Sequence, residues 1–418
     1  MKLRIPKFEN TPYTPTHTDV ASAAKALTRF LTARNTKTAI LTGAGISTAS
    51  GLPDYRGPTG TYTTNPNHKP TLFHEFVSDE HKRKRYWSRA WIGYEQALKW
   101  ARPNVAHEVL TGWLQGGKIS GLITQNVDGL HMSDIGRVVG DVPVSGSVSG
   151  SVTQTQTQTQ TQTQSPTLVE LHGSAYRVHC LSCGERTSRE EFQNRMAEDN
   201  HWSKEDAVAG TTMSGRGFTI DKTTKSDLAQ FVDPGVGRRG NGTGVTSDSS
   251  PTSSNPFLAS LDGSEGDLEG KSPDLEGKSG VDLSRTRLDI SGNKLDSQLN
   301  ADGDAELDVE IDYDQVVIPP CLNCGGVLKP SIVFFGESVP DADRARAREL
   351  LRESDQLLVI GTSLSTFSAF DLVRQFYKQG KKVAVLNKGG VRGEGKDWEA
   401  DVRLDGDIGE VLERVKWT

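Results

Sequence analysis

Short runs of apolar residues recur along the chain, and stretches with helical spacing separate them. The helices are predicted at residues 20–34, 79–101, 104–115, 341–353 and 367–379. Apolar strands without polar alternation are typical of a parallel sheet that is covered on both faces. We therefore predict an α/β fold with a Rossmann-like, doubly wound parallel sheet. The predicted strands are Thr38–Thr42, Gly121–Thr124, Leu168–Leu171, Ile332–Phe335, Leu357–Ile360 and Val383–Leu386.

Two segments lack this pattern. Residues 139–166 are rich in Gly, Ser and Val and contain six consecutive Thr-Gln pairs. Residues 203–308 are dominated by Ser, Thr, Gly and Asp, and the sequence DLEGKS occurs twice within them. Neither segment has the apolar content of a packed element, so we predict that both are disordered insertions.

The overall composition is acidic, with 54 acidic and 48 basic residues and a formal net charge of −6. Residues 203–308 alone hold 19 acidic and 11 basic residues, so the acidity belongs to this segment. An acidic chain argues against nucleic-acid binding through a general basic field. The sequence contains no apolar run of about 18 residues, so we predict no membrane span.

The first 19 residues form an amino-terminal extension ahead of the predicted fold. Its start, MKLRIPKF, contains three basic residues and no acidic residue, but no apolar run of useful length follows. This rules against a secretory signal and leaves a targeting segment open.

All four cysteines lie in two C-x-x-C pairs, Cys180 with Cys183 and Cys321 with Cys324. Each pair can place two thiolates on one tight turn, and two such turns complete a tetrahedral zinc site. Four sulfur ligands leave no position for water, so we predict one structural Zn²⁺. A redox dithiol or four unrelated buried cysteines are the alternatives. The 137 residues between the pairs exceed a compact zinc ribbon, and the second insertion accounts for most of the excess.

A glycine-containing turn follows the first predicted strand. Gly43 and Gly45 match the start of a dinucleotide-binding turn, in which the backbone approaches a pyrophosphate. Thr48 stands where the third glycine is expected, so a plain tight turn remains an alternative. The segment 390–397 nearly matches a P-loop, but Asp397 would repel phosphate where Ser or Thr is required. We discount this second motif.

The motifs in combination resemble the sirtuins, which are NAD-dependent protein deacylases and ADP-ribosyltransferases. The resemblance covers residues 20–418, interrupted by the two insertions. Further segments are similar to the class II mitochondrial branch typified by sirtuin four, namely RYWSR, NVAH, ELHGS and CLNCGGVLKPSIVFFGE. The family motifs are GAGISTASGLPDYRG (Gly43–Gly57), TQNVDGLH (Thr124–His131), ELHGS (Glu170–Ser174), KPSIVFFGESVP (Lys329–Pro340), GTSLS (Gly361–Ser365) and LNK (Leu386–Lys388).

The resemblance implies a Rossmann domain with a smaller zinc-ribbon and helical domain. The Rossmann parts would be residues 20–58, 119–172 and 331–418, and the small module residues 59–118 and 173–330. NAD and an acyl-lysine peptide would meet in the cleft between them. The branch implies the mitochondrial matrix, with nucleus or cytoplasm as the alternative.

The resemblance also assigns residues to NAD, to the peptide and to catalysis. His172 would be the catalytic base, because an imidazole with an ordinary pKa near 6.5 can accept a proton at neutral pH. Asn126 and Asp128 would assist it, and the other eight histidines are interpreted as packing or surface residues. Substrate contacts would come from Val333, Phe335, Gly336 and Glu337, opposite Ser365–Ser368. NAD contacts would come from Gly43, Ala44, Gly45, Ile46, Asp54, Arg56, Gln125, Asn126, Asp128, Gly361, Thr362, Ser363, Asn387, Lys388, Gly389 and Ile408.

The expected activity is lysine deacylation, with transfer of the acyl group to ADP-ribose and release of nicotinamide. Dominant ADP-ribosyl transfer, a lipoyl-type deacylation and a weakly active NAD sensor are the alternatives, and the insertions are candidates for binding unknown partners. Tyr86 and Arg89 resemble an acyl-pocket pair that favours acidic acyl groups in another mitochondrial sirtuin. A charged, exposed helix is the alternative for Arg89, and we favour it because HKRKR precedes this pair.

Overall fold

The computed structural model describes residues 14–132, 167–204, 207, 300, 301, 303, 305 and 311–417. All of these residues belong to one unit. The insertion predicted at 139–166 lies outside the described residues, as does most of the amino-terminal extension. The helices are α1 (Val20–Leu31), α2 (Thr61–Thr64), α3 (Phe73–Ser78), α4 (Glu80–Gln96), α5 (Val105–Gln115), α6 (Arg189–Asn200), α7 (Asp341–Arg352), α8 (Phe367–Tyr377) and α9 (Ile408–Glu413). The strands are β1 (Thr38–Thr42), β2 (Gly121–Thr124), β3 (Leu168–Glu170), β4 (Gly173–Cys180), β5 (Arg186–Ser188), β6 (Leu328–Ile332), β7 (Gln356–Ile360), β8 (Lys382–Leu386) and β9 (Val402–Leu404).

Six strands form a parallel sheet in the order β3-β2-β1-β7-β8-β9. Every residue of β1, β2 and β7 is buried, as their continuous apolar sequences predict. The chain runs outward from β1 through β2 to β3 and then returns to β7, on the other side of β1. The strand order therefore reverses between β1 and β7, and the predicted Rossmann-like architecture is confirmed.

Alternate residues of the central strands pack against different helical layers. Leu41 of β1 and Val359 of β7 belong to a core cluster that includes residues of α7 and α8. Ile40 and Leu358 belong to a second cluster, which includes residues of α1, α5 and α9. Because successive side chains of a strand point to opposite faces, one apolar run supplies both layers.

Side-chain caps define where the longer helices begin. The Asp19 carboxylate accepts a hydrogen bond from the Ser22 amide at 2.9 Å, at the start of α1. Asn104 accepts from the Ala106 amide at 2.9 Å and begins α5. Each cap satisfies a backbone donor that has no partner within its own helix. Among the described helices, none is both long and apolar enough to cross a membrane.

The three remaining strands form a small antiparallel sheet in the order β5-β4-β6. The prediction of a strand at Ile332–Phe335 in the parallel sheet is therefore wrong. The strand is Leu328–Ile332, and it pairs with β4. Beyond it, Phe334 leaves the sheet and packs 4.9 Å from Tyr86, between ring centroids. An apolar run of this length cannot by itself show which sheet it joins.

The small sheet packs against α4 and α6 through a third apolar cluster, which includes Trp87 and Phe192. Ala207 and Ala305, the described residues near the two ends of the 203–308 segment, are buried in the same cluster. The predicted bounds of that insertion are therefore too wide. The central part of the segment lies outside the described residues.

The sequence analysis did not predict strand β9, because a charged residue lies at its centre. Arg403 is buried, and its guanidinium donates to the backbone oxygens of Asn387 and Leu404, at 2.9 Å in both cases. It also forms an ion pair with Glu394 at 3.2 Å. These acceptors replace the water that the charge loses on burial.

We predict that Leu358→Ala lowers the free energy of unfolding by about 2–5 kcal/mol, because Leu358 is fully buried in the central strand β7. The matched control is Leu322→Ala, since Leu322 is 76% exposed. We expect the control to change stability by less than about 0.5 kcal/mol. Urea unfolding followed by circular dichroism measures both values. Equal effects of the two substitutions would contradict the assignment of β7 to the core.

Candidate active site

One large cleft, with a volume of about 1190 Å³, lies at the carboxyl ends of the parallel strands. The loops after β1, β2, β7 and β8 all contribute to its lining. In an open α/β sheet these loops meet where the strand order reverses, and ligands bind there. The small module supplies the opposite wall through α4, α6 and the segment after β6.

The glycines after β1 allow two of these loops to touch. A Cβ atom on Gly43 would lie 2.5 Å from the Thr362 Cβ, and one on Gly45 would lie 2.9 Å from the Gly361 oxygen. The Gly45 amide also donates to the Gly361 oxygen at 2.8 Å. The sequence analysis attributed these glycines to the approach of a pyrophosphate. The structure shows a constraint within the protein itself, because any side chain at either position would push the loops apart.

His172 follows β3 and is held at both ring nitrogens. Its Nδ1 lies 3.0 Å from the Gln125 backbone oxygen, and its Nε2 lies 2.8 Å from the Ser368 hydroxyl. A carbonyl oxygen only accepts, so Nδ1 carries the proton and Nε2 accepts from the hydroxyl. Burial lowers the pKa of His172 to about 4, partly offset by the hydrogen bond to Gln125. The imidazole is therefore neutral at physiological pH, with its basic nitrogen at the cleft.

Asn126 and Asp128 are joined through Ser47, a residue that the sequence analysis did not single out. The Ser47 hydroxyl donates to the Asp128 carboxylate at 2.7 Å and accepts from the Asn126 side-chain amide at 3.1 Å. The Asn126 amide also donates to the Gly43 oxygen at 3.2 Å. This network connects the loops after β1 and β2. Ser47 could be found from sequence only as part of the GAGIS motif.

Two histidines lie behind this network. The rings of His107 and His131 are 4.8 Å apart, and the His107 Nε2 lies 3.3 Å from the Ser47 hydroxyl. Burial lowers the pKa of His107 to about 4 and that of His131 well below its usual value. Both side chains are buried, in agreement with their interpretation as packing residues.

Most of the predicted NAD residues line the cleft, but three do not. Gly43 is absent from the lining that the described residues form and contacts Thr362 instead. Ile46 is buried in the core cluster of α1, α5 and α9, and Ile408 packs against the same cluster. Arg56 stacks over the Tyr62 ring at 5.2 Å, and burial lowers its pKa. The predicted NAD residues that line the cleft are Ala44, Gly45, Asp54, Arg56, Gln125, Asn126, Asp128, Gly361, Thr362, Ser363, Asn387, Lys388 and Gly389.

The four predicted substrate residues, Val333, Phe335, Gly336 and Glu337, also line the cleft. The Glu337 carboxylate accepts from the Phe334 amide at 2.8 Å and pairs with the buried Lys329 ammonium at 3.0 Å. Glu337 therefore holds the shape of this segment. Across the cleft, Ser365 and Ser368 line the facing edge.

Only one residue of the predicted acyl-pocket pair lines the cleft. Tyr86 lines the cleft, whereas Arg89 is absent from the lining that the described residues form. A different arginine, Arg189 at the start of α6, lines the cleft instead and is only 3% exposed. No sequence signal marked Arg189, because it follows a helix cap in a charged segment.

The four cysteine sulfur atoms lie within 4.8 Å of one another. Two of the separations are 3.5 Å, from Cys180 to Cys324, and 3.7 Å, from Cys183 to Cys321. A tetrahedral zinc with Zn–S bonds of about 2.3 Å requires sulfurs about 3.8 Å apart, so the cluster fits one zinc ion. The tight turns that bring the sulfurs together follow β4 and precede β6. This confirms that the four cysteines form one cluster.

The cluster lies in the small module, and the cleft lining includes none of its cysteines. Such a zinc would be structural. Backbone amides lower the pKa of Cys180 to about 6, whereas hydrogen bonds among the thiols raise that of Cys324 to about 12. Zinc binds cysteine as the thiolate, so a bound ion would favour deprotonation of its ligands.

A doubly wound sheet with one cleft at its strand ends, joined to a four-cysteine module, places this chain in the class of Rossmann-type proteins with an added metal module. The model of the Sir2 family matches residues 43–142 and 294–368. The "NAD-dependent protein deacylase SIR4" of Monosiga brevicollis is 30% identical over 394 residues, which cover 94% of this chain and 88% of the relative. The chain belongs to the Sir2 family, the sirtuins.

Other relatives and a solved structure agree. The "NAD-dependent protein deacylase SIR4" of Batrachochytrium dendrobatidis is 28% identical, over 96% of this chain and 95% of the relative. The "NAD-dependent protein deacylase SRT2" of Arabidopsis thaliana is 28% identical, over 91% of this chain and 73% of the relative. A Sir2 structure with a deacetylated p53 peptide and 3'-O-acetyl ADP ribose superimposes with a TM-score of 0.50 at 19% identity, covering 94% of this chain and 96% of its own. This last likeness supports the fold.

We predict one zinc ion per chain, measured by atomic absorption on the purified protein. Cys183→Ala is expected to abolish the bound zinc and to lower the thermal midpoint, because three ligands leave the cluster incomplete and the folded module loses its metal. Ser182→Ala changes the adjacent side chain without removing a ligand and is the control. Full zinc content in Cys183→Ala would contradict the proposed ligand set.

Proposed function

We propose that this chain is an NAD-dependent protein lysine deacylase, which transfers the acyl group to ADP-ribose and releases nicotinamide. The observation that carries the proposal is the position of His172. Its basic Nε2 contacts the Ser368 hydroxyl, and both residues line a cleft whose lining also contains Asn126, Asp128 and the strand-end loops. The names of the sirtuin relatives, all NAD-dependent deacylases or deacetylases, support the same reaction.

The cleft fits NAD as the second substrate. The loops after β1 and β7 are in contact through Gly43, Gly45 and Gly361, so the cleft floor at the strand reversal is backbone and small side chains. Thr362 and Ser363 supply hydroxyls at the phosphate side, and Asn387–Gly389 supply polar groups beyond it. NAD bound there would provide the ADP-ribosyl group that accepts the acyl chain and the nicotinamide that leaves.

The residues around His172 prepare it to take a proton. Gln125 fixes the imidazole tautomer through its backbone oxygen, and Ser368 occupies Nε2 until a substrate hydroxyl replaces it. Gln125 is itself held, since its side-chain amide donates to Thr362 at 2.9 Å. Asn126 and Asp128 are fixed through Ser47, so their polar groups do not have to reorganise during the reaction.

We predict that His172→Tyr abolishes deacylation while the protein remains folded, because the imidazole that we propose as the base is lost. The assay incubates the protein with NAD and acetyl-, butyryl- and glutaryl-lysine peptides and follows nicotinamide and O-acyl-ADP-ribose by mass spectrometry. Ser331→Ala is the control, since Ser331 is outside the cleft lining formed by the described residues. Unchanged turnover in His172→Tyr would overturn the mechanism.

The same assay separates the alternatives. Nicotinamide formed without acylated ADP-ribose would favour ADP-ribosyl transfer or glycohydrolysis. NAD binding without NAD consumption would favour a sensor.

We predict that kcat/KM does not follow a titration near pH 6.5. Burial lowers the pKa of His172 to about 4, so its neutral, active form persists as the pH falls and is lost only below that value. The value of kcat/KM reports the free enzyme, and we expect it to change less than about 1.5-fold between pH 8 and pH 6. A loss of about fourfold over this range, with an apparent pKa near 6.5, would show that His172 is not desolvated before substrate binds.

We also propose that the protein acts in the mitochondrial matrix. The resemblance of the RYWSR, NVAH and ELHGS segments to the class II branch supports this, together with the basic amino-terminal residues. Imaging of a carboxyl-terminal fluorescent fusion with its amino terminus intact tests the proposal. Exclusive nuclear or cytosolic fluorescence would overturn it.

A further inference from the structure

One lobe of the cleft runs along α4 and is lined on that side by a single face of the helix. Tyr86, Ala90, Gly93 and Tyr94 all line the cleft. Their spacing places them on the same side of an α-helix, over a length of about 12 Å from Tyr86 to Tyr94. The small residues Ala90 and Gly93 leave room between the two tyrosines.

The Tyr86 end of this lobe adjoins the predicted substrate segment. The Tyr86 ring packs 4.9 Å from Phe334, and the residues on either side of Phe334 line the cleft. From there the wall formed by α4 leads to Tyr94, with Leu98 and Ala175 also in the lining. An acyl chain on a lysine seated at this segment would therefore enter a lobe with largely apolar walls.

A buried cation, Arg189, also lines the cleft. Its guanidinium lies over the rings of Trp87 and Tyr94, at 4.9 and 5.0 Å. Its Nε donates to the Gln193 side-chain oxygen at 2.9 Å, and its Nη2 donates to the Ala90 oxygen at 2.8 Å. All of these partners are neutral.

No described acidic residue forms an ion pair with Arg189. Glu95 is the buried acid of α4, but Lys99 lies 3.4 Å from its carboxylate and Lys204 lies 3.9 Å from it. The Gln193 side-chain amide also donates to Glu95 at 3.2 Å. The Glu95 carboxylate is thus already matched by two ammonium groups. Burial lowers the pKa of Arg189, partly offset by Tyr86, Tyr94 and Glu95, and a guanidinium remains charged in proteins.

A buried guanidinium without an ion pair of its own is unfavourable, and an anion that enters the lobe would offset its desolvation. Apolar walls beside a guanidinium suit a chain of methylene groups that ends in a carboxylate. We propose that Arg189 binds the terminal carboxylate of a dicarboxylic acyl group on the substrate lysine. The enzyme then prefers such acyl groups to neutral ones of the same length. This rests on the proposed deacylase function and replaces Arg89 as the residue that selects acidic acyl groups.

The test compares two lysine peptides that differ only at the chain end, one glutaryl and the other its uncharged terminal amide. We expect kcat/KM of the wild-type enzyme to be roughly tenfold or more higher for glutaryl, the range of a charge-assisted hydrogen bond. Succinyl and adipoyl peptides then report which chain length reaches Arg189. Equal rates for glutaryl and its amide in the wild-type enzyme would overturn the proposal without the need for any variant.

Two substitutions of Arg189 test whether this residue causes the preference for the glutaryl peptide. Arg189→Met is expected to remove the glutaryl preference, while Arg189→Lys keeps the charge and retains a part of it. Arg89→Met is the matched control and is expected to leave the preference unchanged. Turnover of a butyryl peptide by each variant shows that the enzyme is folded and that the NAD chemistry is intact.

The outcomes distinguish this inference from the proposed function. Loss of the preference in Arg89→Met but not in Arg189→Met would overturn the assignment to Arg189. If the wild-type enzyme consumes NAD with butyryl peptide but shows no glutaryl preference, the deacylase proposal stands and the inference fails. If no acyl peptide supports NAD consumption, the proposed function itself fails.

Discussion

The contact between the loops after β1 and β7 is the constraint on which the rest of the site depends. Gly43 and Gly45 lie against Gly361 and Thr362 so closely that a single methyl group at either glycine would separate them. The same contact brings the Thr362 hydroxyl to Gln125, whose backbone oxygen then orients His172. The close contact of the glycines therefore determines the position of His172 through two residues, Thr362 and Gln125.

Neutral polar groups dominate the surroundings of that base. His172, His107 and His131 all have pKa values lowered by burial, so none of them adds a positive charge at physiological pH. The Asp128 carboxylate accepts hydrogen bonds from the Ser47 hydroxyl and the Leu130 amide. Asp128 thus adds a carboxylate to the lining of the cleft that contains His172. This arrangement suits the proposed departure of nicotinamide, because the ring leaves as a neutral molecule and a carboxylate would stabilise the positive charge that develops on the ribose.

The small module contributes more than a metal site. Its cysteine cluster anchors the ends of β4 and β6, and α4 packs on the same apolar cluster. The helix thereby presents Tyr86 and Tyr94 to the cleft, while Arg189 reaches the same space from the first residue of α6. The cysteine cluster, helix α4 and the wall of the lobe proposed for the acyl chain therefore belong to one packed unit.

The sequence by itself determined the parallel sheet, the cysteine cluster and most of the cleft lining, because apolar runs, C-x-x-C spacing and strand-end motifs are local signals. Only the tertiary structure decided that the run near Ile332 joins the small sheet, that Arg403 can stand in a buried strand and that Ile408 packs away from the cleft. It also brought Arg189, and not Arg89, to the acyl lobe. These outcomes depend on contacts between residues far apart in the chain, such as the backbone acceptors of the Arg403 guanidinium, and no local pattern records them.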